Sequence, residues 1–477
     1  MTDLSSERVG GRVVACNDEF FAEAENLLRN SDPIWKEGVY TDRGKWMDGW
    51  ETRRRREPGH DWCVIALGIP GRVREVTVDT SHFTGNYPES FSLEACGVGS
   101  DQRLDSARWV EIISRTELSG DSLATFEVED AHRITHLRLN IYPDGGVARL
   151  RVDGEPIPGM ADVCPDDGSA DLASSLVGGE AIDASDVHYS PPSNMLRPTE
   201  PAGMWDGWET KRRRGPGNDW ATFRLGLRGT VSSVEVDTRH FKGNAPGSVS
   251  IGVSAEGEVW HQVVARAEVK PHEVNIVTIE PPVDAVFIRL DIHPDGGVAR
   301  IRVRGTPDPV AAGNLRLGYV NALFEDDARA FFHTACASAR WVNAMTSGRP
   351  FADVEGILAA APAAFDVLGG DDWLEAFAGH PRIGESGDSV ANREQAAAYL
   401  ADEAVLRDLA EANRSYEERI GFTYIVYATG KTAEDMLDIA RSRLENTRAA
   451  EILTAADEQR SITDTRLRRM LCLGDNP

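Results

Sequence analysis

The chain has 477 residues, a formal net charge of −26, and 41% hydrophobic and 27% charged residues. These values are typical of a folded, soluble protein of about three domains and exclude a disordered chain. The acidic balance argues against a nucleic-acid partner. No apolar run approaches the ~20 residues of a membrane span, and the N-terminus MTDLSSERVGG lacks a signal-peptide layout, so we expect a cytoplasmic protein without a membrane partner.

An internal duplication organises the first part of the chain. The stretch DGWETRRRREPGHDW at 48–62 returns as DGWETKRRRGPGNDW at 206–220. In the same order, VTVDTSHFTGN returns as VEVDTRHFKGN, and IYPDGGVARLRV returns as IHPDGGVARIRV. Because the similarity runs through several separated blocks, it predicts two domains of one fold.

Each copy has the sequence pattern of β-structure. Segments such as REVTVDTSHF and THLRLNIY alternate apolar and polar residues, and turn-forming PDGG, GNYP and GNAP separate them. We therefore predict two tandem all-β jelly-roll (galactose-binding-like) sandwiches, at 1–157 and 171–307. The segments 158–170 and 308–314 have the composition of linkers.

From residue 315 onward the pattern becomes helical. Alanine is abundant, apolar residues recur at spacings of three and four, and Asp353 and Thr432 stand where helix N-caps are expected. We predict an all-α helical domain at 315–477.

The arginine blocks offer the groups that a small, polar anion needs. Arginine presents a planar fork of donors to a carboxylate, and Asp48 and Glu51 could accept N–H groups of amides or ureas. Trp50 would form an apolar wall, and His82 and His240 would carry protons near neutral pH. The alternative is a solvated charged loop, with histidines that only bond a neighbouring loop. In the PDGG segments, the aspartates are either turn formers or site carboxylates.

These blocks closely resemble allantoicase, across residues 3–310. The family consists of two tandem jelly-roll domains and hydrolyses allantoate to ureidoglycolate and urea. In a hypothetical mechanism, Arg53, Arg54 or Arg55 holds the substrate carboxylate, and His82 or a carboxyl group protonates the leaving ureido nitrogen. Glu51 and His82 are the predicted catalytic residues. The predicted substrate-binding residues are Asp48, Trp50, Arg53, Arg54, Arg55, Asp144 and Arg149 in the first copy, and Asp206, Trp208, Glu209, Arg212, Arg213, His240, Asp295 and Arg300 in the second.

The sequence leaves open which copy acts and whether this part uses a divalent metal, because no Asp, Glu or His set has a diagnostic ligand spacing. It also leaves open whether the protein is a homo-oligomer.

A second candidate site lies in the helical part, in WLEAFAGHPRIGE at 373–385. Gly379 and Pro381 bracket His380 and break the helix, which places an imidazole on a stiff loop. The alternative is a histidine that only caps a helix end.

The stretch 315–472 resembles the decarboxylase acting on 2-oxo-4-hydroxy-4-carboxy-5-ureidoimidazoline (OHCU). The matching pieces are WVNAMTSGRPF, the HPRIGE loop, an EQ pair, GFTYIVYATGK and a closing Arg-Leu. The family needs no cofactor and yields S-allantoin and carbon dioxide. The resemblance implies His380, Glu394 and Arg466 as catalytic residues, and Gln395, Pro381, Tyr424, Ile425 and Val426 as substrate contacts. The family usually has a serine where this chain has Ala391, which puts one substrate contact in doubt.

Both resemblances fall in urate breakdown and predict a bifunctional enzyme acting on small-molecule ureides. The alternative is a non-catalytic pair of jelly-roll binding modules attached to an active decarboxylase.

Overall fold

The computed structural model describes residues 2–98, 104–382 and 403–474. Contacts between Cα atoms divide the chain into two compact units, Met1–Ala322 and Leu323–Pro477. No helix in the described ranges is long and apolar enough to cross a membrane.

The first repeat is an antiparallel β-sandwich. Its strands are β1 (Thr2–Asp3), β2 (Arg12–Cys16), β3 (Tyr40–Thr41), β4 (Gly44–Lys45), β5 (Trp50–Glu51), β6 (Asp61–Asp79), β7 (Ser90–Cys96), β8 (Val110–Glu117), β9 (Leu123–Glu127), β10 (Ile134–Tyr142), β11 (Gly146–Val147) and β12 (Arg149–Pro156). The main strand order is β1-β12-β6-β10-β7-β8, and β2 and β9 also pair with β6.

The long strand β6 connects the two layers of this sandwich. Its first residues pair with β10 and β2, whereas its last residues pair with β12 and β9. Alternate side chains along it, including Cys63, Ile65, Val76 and Val78, are fully buried in one core, as the period-2 pattern predicts.

The second repeat has the same topology. Its strands are β13 (Ala170–Asp171), β14 (Glu180–Ala184), β15 (Trp208–Glu209), β16 (Asp219–Asp237), β17 (Ser248–Ser254), β18 (His261–Glu268), β19 (Val274–His293), β20 (Gly297–Val298) and β21 (Arg300–Pro307). The order β13-β21-β16-β19-β17-β18 repeats that of the first sandwich, with β19 in place of β9 and β10. The predicted pair of sandwiches is confirmed.

The two segments expected to be linkers each contain a helix. Helix α1 (Met160–Val163) lies in the first, and α2 (Pro309–Asn321) begins in the second. Asp308 caps α2 by accepting a hydrogen bond from the backbone of Ala311 at 2.9 Å. The segment 308–314 is therefore the start of a helix, and α2 belongs to the same compact unit as the sandwiches.

The second unit is helical, as predicted. Its described helices are α3 (Glu325–Ala335), α4 (Ala339–Ser347), α5 (Val354–Phe365), α6 (Gly370–Ala378), α7 (Glu403–Ile420), α8 (Ala433–Arg443) and α9 (Arg448–Met470). Stacked rings of Trp341, Phe365 and Trp373 join α4, α5 and α6. Asp353 and Thr432 cap α5 and α8 through their side chains, which confirms both predicted N-caps.

Candidate active sites

The arginine blocks lie beside short pairs of strands, β5 with β11 and β15 with β20. The tryptophans in these strands face the core. Trp50 and Trp208 are 0% exposed, and their indole N–H groups donate to the carbonyls of Asp18 and Asp186, each at 2.8 Å. Because both rings are enclosed, they support the loop and do not form an open wall.

The first carboxylate of each block forms a buried ion pair. Arg149 Nη2 lies 2.9 Å from Asp48 Oδ2, and the same guanidinium donates to the carbonyls of Asp48 and Ser31. Arg300 and Asp206 form the equivalent pair in the second repeat. Burial raises the pKa of Asp48, but hydrogen bonds from Arg149 and from the backbone, with nearby guanidinium charge, outweigh it and lower that pKa. These enclosed groups tie the loop to the last strand of each sandwich.

A second set of contacts fixes the turn of the arginine loop. The side chain of Arg55 pairs with buried Asp61 at 2.6 Å, and its backbone N–H donates to Asp144 at 2.8 Å. In the second repeat, Arg213 pairs with Asp219 and donates its backbone N–H to Asp295. Asp144 and Asp295 thus hold the backbone of the arginine loop in each repeat.

The remaining arginines lie at the surface. Arg53 is bound to Asp18 at 2.6 Å. Arg54 and Arg212 are exposed, and the described part of the chain gives neither of them a hydrogen bond or ion pair. Arg56 and Arg214 are exposed as well, so each loop leaves two guanidinium groups accessible among the described residues.

Glu51 keeps a hydrogen-bonded but partly accessible carboxyl group. Asn86 donates to it at 2.7 Å, and Asn244 donates to Glu209 at the same distance. Burial raises the pKa of Glu51, against the opposing effect of the Asn86 hydrogen bond. A carboxyl group of this kind retains its proton to a higher pH than an exposed glutamate.

The two histidines bond neighbouring loops. His82 and His240 both have φ of 71°, and their Nε2 atoms lie 3.2 Å from Pro33 O and 2.8 Å from Pro201 O. This geometry corresponds to the alternative in which each histidine holds a loop.

A cavity that the sequence did not predict lies on the outer face of the first sandwich. Outward side chains of β6, β7 and β10, together with Trp109, line a cavity of about 770 Å³. We call it the sheet groove; beside Trp109, its charged and polar lining includes His60, Ser92, Glu94, Asp105, Glu111, Arg138 and Asn140. The sequence offered one sign of this cavity, because the two aligned copies differ there: His60 in the first copy corresponds to Asn218 in the second.

In the helical unit, the two predicted segments meet at one small cavity of about 40 Å³. Its lining includes His380 and Pro381 after α6, and Tyr424, Ile425 and Val426 between α7 and α8. The structure therefore brings these five predicted residues together.

The His380 side chain is oriented by a buried glutamine on α9. His380 Nε2 lies 2.7 Å from Gln459 Oε1, and Gln459 Nε2 donates to Thr463 at 3.1 Å. The Thr463 hydroxyl reaches the carbonyl of Ala335 at 3.4 Å. Because a carbonyl only accepts, this chain of bonds is satisfied when Thr463 donates to Ala335 and His380 donates from Nε2 to Gln459.

The loop lining the cavity has no regular secondary structure. Arg443 donates to the carbonyl of Ile425 at 2.8 Å, and the backbone N–H of Tyr427 donates to Glu458 at 2.7 Å. Side chains of α8 and α9 thus hold the backbone that faces His380.

The other predicted residues of this site have different outcomes. Arg466 is half-buried on α9, with Nη1 3.5 Å from the carbonyls of Thr334 and Ala335. Glu394, Gln395 and Ala391 lie outside the described residues.

Across the described residues, no group of three or more His, Cys, Asp or Glu side chains is arranged to hold a metal ion.

The family model for the allantoicase repeat matches residues 2–157 and 170–308, more than half of the chain. The chain belongs to the allantoicase family. A curated protein of Pseudomonas fluorescens (strain SBW25), named "Probable allantoicase", is 44% identical over 318 residues, which are 64% of this chain and 95% of that protein. The crystal structure of allantoicase from Saccharomyces cerevisiae is 35% identical, with a TM-score of 0.52, over 64% of this chain and 92% of that one.

The helical part matches a second family model, described as OHCU decarboxylase, at residues 321–468. A crystal structure of OHCU decarboxylase in the presence of (S)-allantoin is 32% identical and covers 30% of this chain and 96% of that chain, with a TM-score of 0.27. The family model confirms the second resemblance inferred from the sequence, so an allantoicase repeat pair is followed by an OHCU decarboxylase domain.

Proposed function

We propose that this chain is a bifunctional enzyme of urate breakdown. The sandwich unit hydrolyses allantoate to ureidoglycolate and urea, and the helical unit decarboxylates OHCU to S-allantoin. The observation that carries this proposal is the match of two enzyme families to adjoining parts of one chain. The non-catalytic alternative for the sandwiches has no comparable support, because the family that matches them is an enzyme family.

Allantoate has one carbon bearing a carboxylate and two ureido groups. Hydrolysis breaks the bond from this carbon to one ureido nitrogen; water adds to the carbon, and the leaving nitrogen takes a proton and departs as urea. The reaction needs a cation for the carboxylate, an acceptor for ureido N–H groups and a proton donor. In the arginine loop, Arg54 and Glu51 retain the accessibility that these roles require.

OHCU loses its carboxylate as carbon dioxide when the bonding electrons pass into the conjugated ring, after which the carbon takes up a proton. His380 is the proposed proton donor, because it lines the cavity and is fixed by Gln459. The peptide groups of Tyr424, Ile425 and Val426 form the facing wall, and enclosure there strengthens the stabilisation of developing charge.

Both activities are tested on the purified full-length protein. Urea release from allantoate and circular dichroism of allantoin formed from fresh OHCU report the two reactions separately. His380→Asn should abolish stereoselective allantoin formation and leave urea release unchanged. Retention of stereoselective decarboxylation by this variant would remove His380 from the mechanism. A cytoplasmic location and assembly into a homo-oligomer remain predictions.

A further inference from the structure

We propose that each chain carries two sites for the acidic ureide substrate, one at the arginine loop of each repeat (51–57 and 209–215). This inference rests on the proposed hydrolysis of allantoate and adds that both copies of the duplicated block take part in it.

The three duplicated sequence blocks meet at one carboxyl group in the first repeat. Glu51 stands opposite Gly146 in the pairing of β5 with β11, and the backbone N–H of Gly146 donates to the carbonyl of Asn86 at 2.6 Å. The side-chain amide of Asn86 donates to Glu51 at 2.7 Å. One residue from each block thus contributes to fixing the glutamate.

The second repeat has the same contacts around its own carboxyl group. Glu209 stands opposite Gly297, and the backbone N–H of Gly297 donates to the carbonyl of Asn244 at 2.8 Å. The side-chain amide of Asn244 donates to Glu209 at 2.7 Å. Both repeats therefore hold a glutamate in the same way beside their arginines.

The loop also begins in the same way in both repeats, although Lys211 replaces Arg53. The backbone N–H of Arg53 donates to Asp18 at 3.0 Å, and that of Lys211 donates to Asp186 at 3.3 Å. Because the backbone makes this bond, the change of side chain leaves the start of the loop in place.

Each loop presents the same two accessible cations. Arg54 and Arg56 in the first repeat, and Arg212 and Arg214 in the second, are exposed, and within the described ranges none of them makes a hydrogen bond or ion pair. Since they are neither buried nor paired, the fold does not account for their presence in both loops. Guanidinium groups can bind the carboxylate of an acidic ureide, and the neighbouring glutamate can accept its N–H groups.

The outer surface of the two sandwiches has changed elsewhere. In the sheet groove, Glu94 and Asn140 of the first repeat correspond to Gly252 and Asp291 of the second at the same strand register. The shared fold thus tolerates different polar groups on its exterior. A second repeat that served only as a scaffold would have no physical need for the exposed guanidinium of Arg212.

The surroundings of the two loops differ, so we expect unequal affinities. Exposed Glu57 stands in the first loop where the second has Gly215, and Met204 Sδ lies 3.8 Å from the side-chain amide of Asn244 in the second repeat. A carboxylate near a guanidinium weakens its attraction for an anion, so Glu57→Gly should tighten binding at the first repeat.

The first test counts binding events on the full-length protein. N-carbamoylglycine, a stable molecule with one carboxylate and one ureido group, should bind in calorimetry with two molecules per chain. Arg54→Ala and Arg212→Ala should each weaken one of the two binding events by at least roughly tenfold, and the double variant should weaken both. Binding of one molecule per chain, or of none, would overturn the proposal.

The second test asks whether both sites react. Glu51→Gln and Glu209→Gln keep an oxygen that accepts from the asparagine but remove the acidic group. Each alone should retain part of the urea release at saturating allantoate, and the double variant should retain none. If one substitution alone abolishes urea release, or if the double variant keeps full activity, two reacting sites are ruled out. If two molecules of N-carbamoylglycine bind in a way that depends on Arg54 and Arg212 but the wild type releases no urea, the paired sites stand and the proposed hydrolysis fails.

Discussion

At the scale of single residues, Gln459 should control how His380 acts. Gln459 is fully buried, and Gln459→Leu removes the acceptor of the hydrogen bond made by His380 Nε2. Without this partner the imidazole is no longer held in position for proton transfer, and a positioned general acid contributes about 10²–10⁴-fold, so we expect the kcat of decarboxylation to fall by at least roughly tenfold with KM little changed.

The control is Gln459→Glu, which keeps an acceptor and adds negative charge. That charge should raise the pKa of His380 and move the pH profile of decarboxylation upward. A purely structural role for Gln459 would instead lower the melting temperature of both variants and leave the pH profile where it was.

The buried pair of Asp48 and Arg149 should make the sandwich unit sensitive to acid. Asp48→Asn leaves a buried guanidinium without its counter-charge, which costs about 3–5 kcal/mol of folding free energy at neutral pH. Because the pKa of folded Asp48 is lowered, its stabilisation is present above the unfolded pKa and is lost as pH falls through the folded pKa. The stability gap between wild type and variant should therefore narrow on acidification, as measured by denaturant unfolding at pH 7 and near pH 3. An equal gap at both values would contradict this.

The importance of the arginine loop could be suspected from one sequence, but the burial of its residues could not be predicted. The identity of the two copies drew attention to this loop, but Asp48 and Arg149 are far apart in sequence, and their burial is visible only in the fold. Both copies keep these residues because both must close the same loop. His380 could be located from sequence because Gly379 and Pro381 act locally on the backbone.

At the scale of elements, the cavity loop depends on an ion pair between α8 and α9. Glu451 is 0% exposed and pairs with Arg443, while the hydroxyl of Tyr416 donates to it at 2.7 Å. Glu451→Ala should cost about 3–5 kcal/mol, because it removes the close partner of the buried Arg443 and leaves only Glu458, 4.0 Å away, to balance its charge. Since Arg443 also holds the carbonyl of Ile425, decarboxylation should fall together with the melting temperature.

The matched control is the exposed pair of Arg441 and Asp408, at 55% and 53% exposure. Arg441→Ala should change stability by no more than about 1 kcal/mol. Stability is measured by thermal unfolding followed by circular dichroism. Equal losses of stability from the two substitutions would show that burial does not explain the contribution of the Glu451–Arg443 pair.

Elements with strong periodicity could be predicted, and those set by tertiary contacts could not. The alternation in β6 and β10 predicted strands correctly. The segment 308–314 has the composition of a linker, yet its proline, Pro309, occupies the first turn of α2, where proline is tolerated. The β-branched and aromatic run after α7 resembles a strand, but Arg443 and Glu458 bind its backbone in place of a neighbouring strand.

At the scale of the whole molecule, the two proposed reactions are not consecutive. Decarboxylation yields allantoin, a closed ring, whereas the proposed hydrolysis acts on allantoate, in which the ring is open. Neither matched family supplies the ring-opening hydrolysis between them. The purified chain given OHCU alone should therefore accumulate S-allantoin without releasing urea, and urea should appear only when an allantoin-opening hydrolase is added. Urea released from OHCU without that addition would mean that one of the two units accepts a substrate other than the one proposed here.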